Sequence, residues 1–201
     1  MKSIQQFIIK PIGQRYNNEL TIGNKKLIVN SSISNHKFVN REAVVVSVPL
    51  ALRTNIKVGD TVLVHHNLFR RYYNLKGKSV NSSKYFKDDM YFASVDQIYM
   101  FKRNDKWNTV LDYCFIKPVI NKDKSKLSKL KNNIGIIKYD NSSLNALKIS
   151  TGDTVAFKSN REFEFVVDNE LLYCMQSNDI LIKYENKGNE TEYNPSWAKS
   201  S

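Results

Sequence analysis

Residues 56–64 read IKVGDTVLV, and residues 149–157 return the same pattern as ISTGDTVAF. The Gly-Asp-Thr-Val core recurs at a spacing of 93 positions, from Asp60 to Asp153. Each copy reads as a tight turn running into a strand. Glycine has no Cβ, so Gly59 and Gly152 can take the positive φ such a turn demands. Asp60 and Asp153 can accept hydrogen bonds from nearby turn amides. Val62 and Val64, echoed by Val155 and Phe157, alternate as the buried face of a half-buried strand. One Gly-Asp turn is common in β proteins. Two in matching surroundings point to a duplicated unit.

The surroundings do match. FIIKPI at 7–12 is echoed by YCFIKPV at 113–119, and the apolar run EAVVVSV at 42–48 by IGIIKY at 134–139. Asp96-Gln97-Ile98-Tyr99 is mirrored by Asp179-Ile180-Leu181-Ile182. Residues 163–167 and 171–175 flank Asp168-Asn169, a hairpin signal. The first copy is longer by 14 residues before its Gly-Asp turn and by about ten after it, an excess that loops absorb at little entropic cost. Residues 102–108 read as a polar bridge, 142–147 as a single helical turn, and 186–201 as a loosely ordered tail without periodicity.

The bulk numbers narrow the function classes. At 201 residues, 41% hydrophobic and 25% charged, the chain suits one domain or two small ones. No apolar run reaches the length of a membrane span, and the first residues lack a signal-peptide core, so a cytoplasmic protein without a membrane partner is expected. The two cysteines, Cys114 and Cys174, suggest no disulfide framework and read as core residues. A net charge of +12 invites nucleic acid. Lysine and asparagine are abundant along the whole chain, however, and basic charge alone discriminates weakly, so nucleic acid is not the expected partner. Phe69-Arg70-Arg71-Tyr72-Tyr73 could stack bases or pack as an extended hairpin on a neighbouring subunit; the acidic Asp88 and Asp89 that follow favour packing. His65 and His66 are adjacent, so in a strand they face opposite ways and cannot readily grip one metal ion. No phosphate-cradling glycine loop and no nucleophile elbow occurs. The chain therefore reads as a protein without catalytic activity, cofactor or metal.

Taken in order, these signals resemble the GroES-type co-chaperonins of the chaperonin-10 family. A strand ends near Lys-Pro, a long polar loop carries an aliphatic tripeptide, and a valine-rich strand, a GDxV turn, a hairpin and a final Asp-Ile strand follow. The set occurs twice, over nearly all of residues 7–185, as in the tandem co-chaperonins encoded by phages. The resemblance implies an all-β fold of two tandem GroES-like, partly open β-barrels with long loops. Residues 1–107 would form the first, with a mobile loop at about 13–41, and 108–185 the second, with a shortened loop.

In that family the mobile loop presents its tripeptide to the apical domains of a chaperonin ring, and a homo-oligomeric ring caps the folding chamber in the nucleotide-bound state. Leu27, Ile28 and Val29 occupy the tripeptide's place. The physics is sound: ordering a loop costs entropy, so each contact is weak and a ring of loops gains through avidity. A buried short strand is the other reading of the triplet. Two departures stand out. The loop at 121–133 has no tripeptide, only Leu127 and Leu130 among five lysines. Residues 49–57 are too few for the family's roof hairpin. A reading from a different class makes the chain a structural component of a larger assembly, such as a phage particle, with its loops as interface arms.

Overall fold

β-Branched and aromatic runs, broken by proline or by Gly, Asn and Asp turns, form short antiparallel strands throughout. The computed structural model describes residues 2–16, 19–22, 25–28, 38–120, 130–185 and 191–200. It divides into two units, Met1–Asn108 and Thr109–Ser201.

The first unit contains β1 (Phe7–Pro11), β2 (Glu19–Ile22), β3 (Lys25–Ile28), β4 (Glu42–Ser47), β5 (Thr61–Val64), β6 (Arg71–Tyr73), β7 (Ser79–Asn81), β8 (Tyr91–Ala93), β9 (Ile98–Arg103) and β10 (Lys106–Thr109). Six of them form one sheet in the order β10-β9-β5-β4-β1-β8, while β2 with β3, and β6 with β7, form two-stranded sheets. Phe7, Ile9, Val45, Val62, Val64, Ile98 and Met100 are buried from this sheet.

The second unit contains β11 (Tyr113–Ile120), β12 (Leu130–Tyr139), β13 (Thr154–Phe157), β14 (Phe163–Val167), β15 (Glu170–Gln176) and β16 (Ile180–Lys183), in the order β14-β15-β11-β12-β13-β16. Its core gathers Cys114, Ile116, Ile137, Leu144, Val155, Phe157 and Met175. Both cysteines are free and buried, and burial, with the charge of Asp179, pushes the Cys114 thiol up to about 12. The fold is all-β, and neither six-stranded sheet closes on itself. A helical turn at Ser142–Ala146 is capped by Asn141, whose side chain accepts from the Leu144 amide at 2.9 Å.

Five strands share one order in both units: β8-β1-β4-β5-β9 in the first and β15-β11-β12-β13-β16 in the second. The Gly-Asp turns match bond for bond. Gly59 and Gly152 have φ of 89° and 92°. The Gly59 amide donates to Val45 O at 2.9 Å and the Gly152 amide to Ile137 O at 2.8 Å. Asp60 accepts from the Lys57 amide at 2.7 Å, and Asp153 from the Ser150 amide at 2.9 Å. Each carboxylate then meets a cation from the strand beyond: Arg103 of β9 on Asp60, with Nε at 2.9 Å, and Lys183 of β16 on Asp153 at 2.7 Å. The hairpin turn also recurs, with Asp88-Asp89 at φ 49° and 59° and Asp168-Asn169 at 47° and 63°. These are the left-handed conformations that a two-residue hairpin loop requires and that Asp and Asn tolerate.

Four expectations need correction. Leu63 is buried along with Val62 and Val64, so β5 is covered on both faces, whereas Ala156 in β13 stays partly open. Residues 102–108 are a hairpin, not a bridge: Asn104 and Asp105 take φ of 50° and 57°, and Trp107 is buried. Residues 130–133 begin β12 instead of ending a loop. The tail is docked from 191 to 200. The Ile120 amide donates to Thr191 O at 2.8 Å, the Tyr193 amide to Pro118 O at 2.8 Å, and Ala198 is fully buried. Lys117, between Glu192 at 2.7 Å and Glu170 at 3.3 Å, ties this strap to the sheet.

Candidate functional site

The long loop of the first unit leaves the sheet from a fixed stem. Asn40, almost fully buried, donates through Nδ2 to Ile12 O at 2.6 Å and Gln14 O at 2.9 Å, and its Oδ1 accepts from the Glu42 amide at 2.9 Å. The Asn40 amide donates to Arg15 O at 2.9 Å, and Tyr16 forms a β-bridge with Val39. One buried asparagine thus closes the two ends of the loop by satisfying backbone groups that the sheet leaves over.

Beyond the stem stands the ribbon β2–β3, in the register Glu19↔Ile28, Leu20↔Leu27, Thr21↔Lys26 and Ile22↔Lys25. Among the described residues it joins no larger sheet. Leu27 lies in β3 with 55% of its surface exposed, and Ile28 is the last residue of that strand. Val29 lies outside the described residues. Leu27 is therefore both in a strand and open to solvent, which matches neither an irregular loop nor a buried strand. An isolated two-stranded ribbon is marginal in water, which puts weight on the stem that anchors it.

The second ribbon, β6–β7, rises from the same base. Arg15 donates to Phe69 O from Nε at 3.1 Å and from Nη2 at 2.6 Å, and to Asn81 Oδ1 at 2.8 Å. The Tyr16 hydroxyl accepts from the Arg71 amide at 2.7 Å. Two successive residues, Arg15 and Tyr16, thereby hold the roots of both ribbons. Nothing in the sequence signalled this pairing, because each donor reaches its acceptor across more than fifty residues.

The remaining candidates are the histidine pair, the second loop and a shallow hollow. His65 Nδ1 accepts from the Asn67 amide at 3.1 Å and its ring stacks on His66 at 4.4 Å. Burial and the charge of Arg41 hold its imidazole below the ordinary value against the pull of Asp96. Among the described residues no group of three or more His, Cys, Asp or Glu could hold a metal ion. Leu127 of the second loop lies outside the described residues, and Leu130 opens β12. The shallow hollow beside the Asp60–Arg103 pair is lined by the Gly-Asp turn at 57–61 and by residues 102–105 of the β9–β10 hairpin. What this region can do is present apolar and basic side chains to another macromolecule. No family model matches this chain, and no curated protein matches its sequence.

Proposed function

We propose that the protein is a non-catalytic docking protein of the co-chaperonin type, built as two tandem GroES-like units. In this reading Leu27, Ile28 and Val29 bind the apical domains of a chaperonin ring, and copies assembled in a homo-oligomeric ring cap the folding chamber in the nucleotide-bound state, in the cytoplasm. The observation that carries it is the exposed Leu27 on a ribbon that joins no larger sheet among the described residues and stands on an anchored stem. An apolar side chain offered this way gains by entering a partner's groove. The shared five-strand order supports tandem units. Self-association is supported by β16, an edge strand with Leu181 and Ile182 more than half exposed. An apolar edge with no strand partner among the described residues invites another chain.

The test is co-sedimentation with a GroEL-type chaperonin, with and without ATP. ATP-dependent binding that Leu27→Asp and Ile28→Asp each abolish is the expected result. Absence of binding, or binding unchanged by both substitutions, refutes the reading. A second reading, a structural component of a particle, is favoured by the additional ribbon β6–β7; stoichiometric recovery of the protein in purified particles would select it.

A further inference from the structure

We propose that the basic ribbon β6–β7 of one copy docks on the acidic hairpin β14–β15 of a second copy. The inference builds on the self-association part of the reading above and needs no chaperonin.

Charge is distributed unevenly between the two hairpins. Residues 70–87 hold six Lys and Arg and no Asp or Glu. Residues 162–182 hold five Asp and Glu and no Lys or Arg, in a chain whose net charge is +12. Glu170 and Asp179 face lysines of their own unit, Lys117 and Lys138 for the first and Lys158 for the second. Glu164 and Asp168 are exposed and Glu162 is half-buried, and these three carry the acidity that the hairpin shows to solvent.

Both partners also expose apolar surface beside their charges. At the ribbon tip Leu75 is fully exposed, Tyr73 is 60% exposed, and the Arg70 guanidinium lies 5.2 Å from the Tyr72 ring centroid. On β14, Phe163 is 59% exposed between Glu162 and Glu164. β14 is the terminal strand of its sheet, so its outer edge has no strand partner among the described residues.

The ribbon is preorganised for such a contact. Arg15 and Tyr16 fix its root, while Asn74 Oδ1 accepts from the amides of Lys76 at 3.0 Å and Lys78 at 2.9 Å to set its tip. A ribbon ordered beforehand loses little entropy on binding. Ribbon and edge are different surfaces, so the contact is heterologous: it propagates head to tail and closes into a ring or extends as a filament.

The test is molar mass in solution by light scattering at low and high salt. Wild type should exceed its monomer mass of 23.3 kDa at low salt and dissociate as salt screens the contact. Lys76→Glu with Lys78→Glu, and separately Glu162→Lys with Glu164→Lys, should each give monomers. Mixing the two variants should restore the large species, because each then meets a complementary face. That rescue distinguishes a lost contact from a lost fold. A mass unchanged by both pairs of substitutions, or no recovery on mixing, overturns this contact while leaving self-association intact. Monomeric wild type at low salt overturns both.

Discussion

Asp60 is the residue on which the first Gly-Asp turn closes. Burial alone would raise its carboxyl, but Arg103, the Lys57 amide and the Lys57 charge outweigh it and hold it below the ordinary value of 3.8. Asp60→Ala removes a charge-assisted bond to an amide and strands Arg103 without its carboxylate. The expected cost is about 2–3 kcal/mol, read from urea unfolding at neutral pH. A depressed folded-state pKa means that the unfolded chain binds the proton more readily, so the carboxylate stabilises above the unfolded value and this is lost as pH falls through the folded one. The gap between wild type and Asp60→Ala should be level between about pH 5 and pH 8 and narrow below about pH 4. A gap constant into acid would place the stabilisation elsewhere. Gly135 illustrates a different constraint. It faces Pro118 across β11–β12, and a Cβ there would fall 2.6 Å from Lys117 O and closer still to the Ile116 side chain. Backbone must move to admit it, so Gly135→Ala should cost about 1–3 kcal/mol in the same assay. A neutral result would mean that the two strands separate more easily than their packing implies.

Among the elements, the strap at 191–200 is held by interactions that leave no trace in local pattern. Lys117 has its ammonium stabilised, the burial that opposes the charge being outweighed by Glu192 and Glu170. Asn194 accepts from the Leu171 amide at 3.1 Å and donates to Asn169 O at 2.9 Å, clasping the β14–β15 turn. A chain ending at residue 190 should lose these bonds and uncover Val119 and Leu171, lowering the melting midpoint by several degrees at about 4–8 °C per kcal/mol for a unit of this size. An unchanged midpoint would reduce the strap to a surface ornament. The strap also marks where sequence reading stops. Turns were legible because glycine, aspartate and asparagine each carry their own backbone preference, as at Gly59, Gly152 and Asp168-Asn169. The Asn104-Asp105 turn carried the same signal, but Lys106-Trp107-Asn108-Thr109 has one apolar residue and no alternation, so β10 was hidden. Burial on both faces of β5 depends on what packs over Leu63, which no local window contains. For the candidate site, the aliphatic run was legible as a pattern. The pairing of Leu27 and Ile28 with residues 19–22 was not, because so short a stretch within a polar loop carries little pattern of its own. Nor was the Arg15–Tyr16 anchor, because its partners lie more than fifty residues away.

At the scale of the whole molecule, the proposed reading gives partner contact to one ribbon and assembly to the other. A single exposed leucine on a marginal ribbon gives weak binding, because the apolar area it buries barely exceeds the entropy of ordering the arm. Several copies held together turn later contacts into intramolecular ones, which raises avidity by about 10²–10⁴ without any new contact. The consequence separates the two ribbons experimentally. Lys76→Glu with Lys78→Glu leaves Leu27 and the Asn40 stem untouched, yet by dissociating the copies it should weaken ATP-dependent chaperonin binding by about a hundredfold or more. Leu27→Asp should instead abolish binding while leaving the molar mass unchanged. Surface-immobilised chaperonin, titrated with each variant, reads both effects, and mixing the ribbon variant with Glu162→Lys/Glu164→Lys should recover affinity together with mass. If the dissociated variant binds as tightly as wild type, each chain docks alone and avidity has no part in its function.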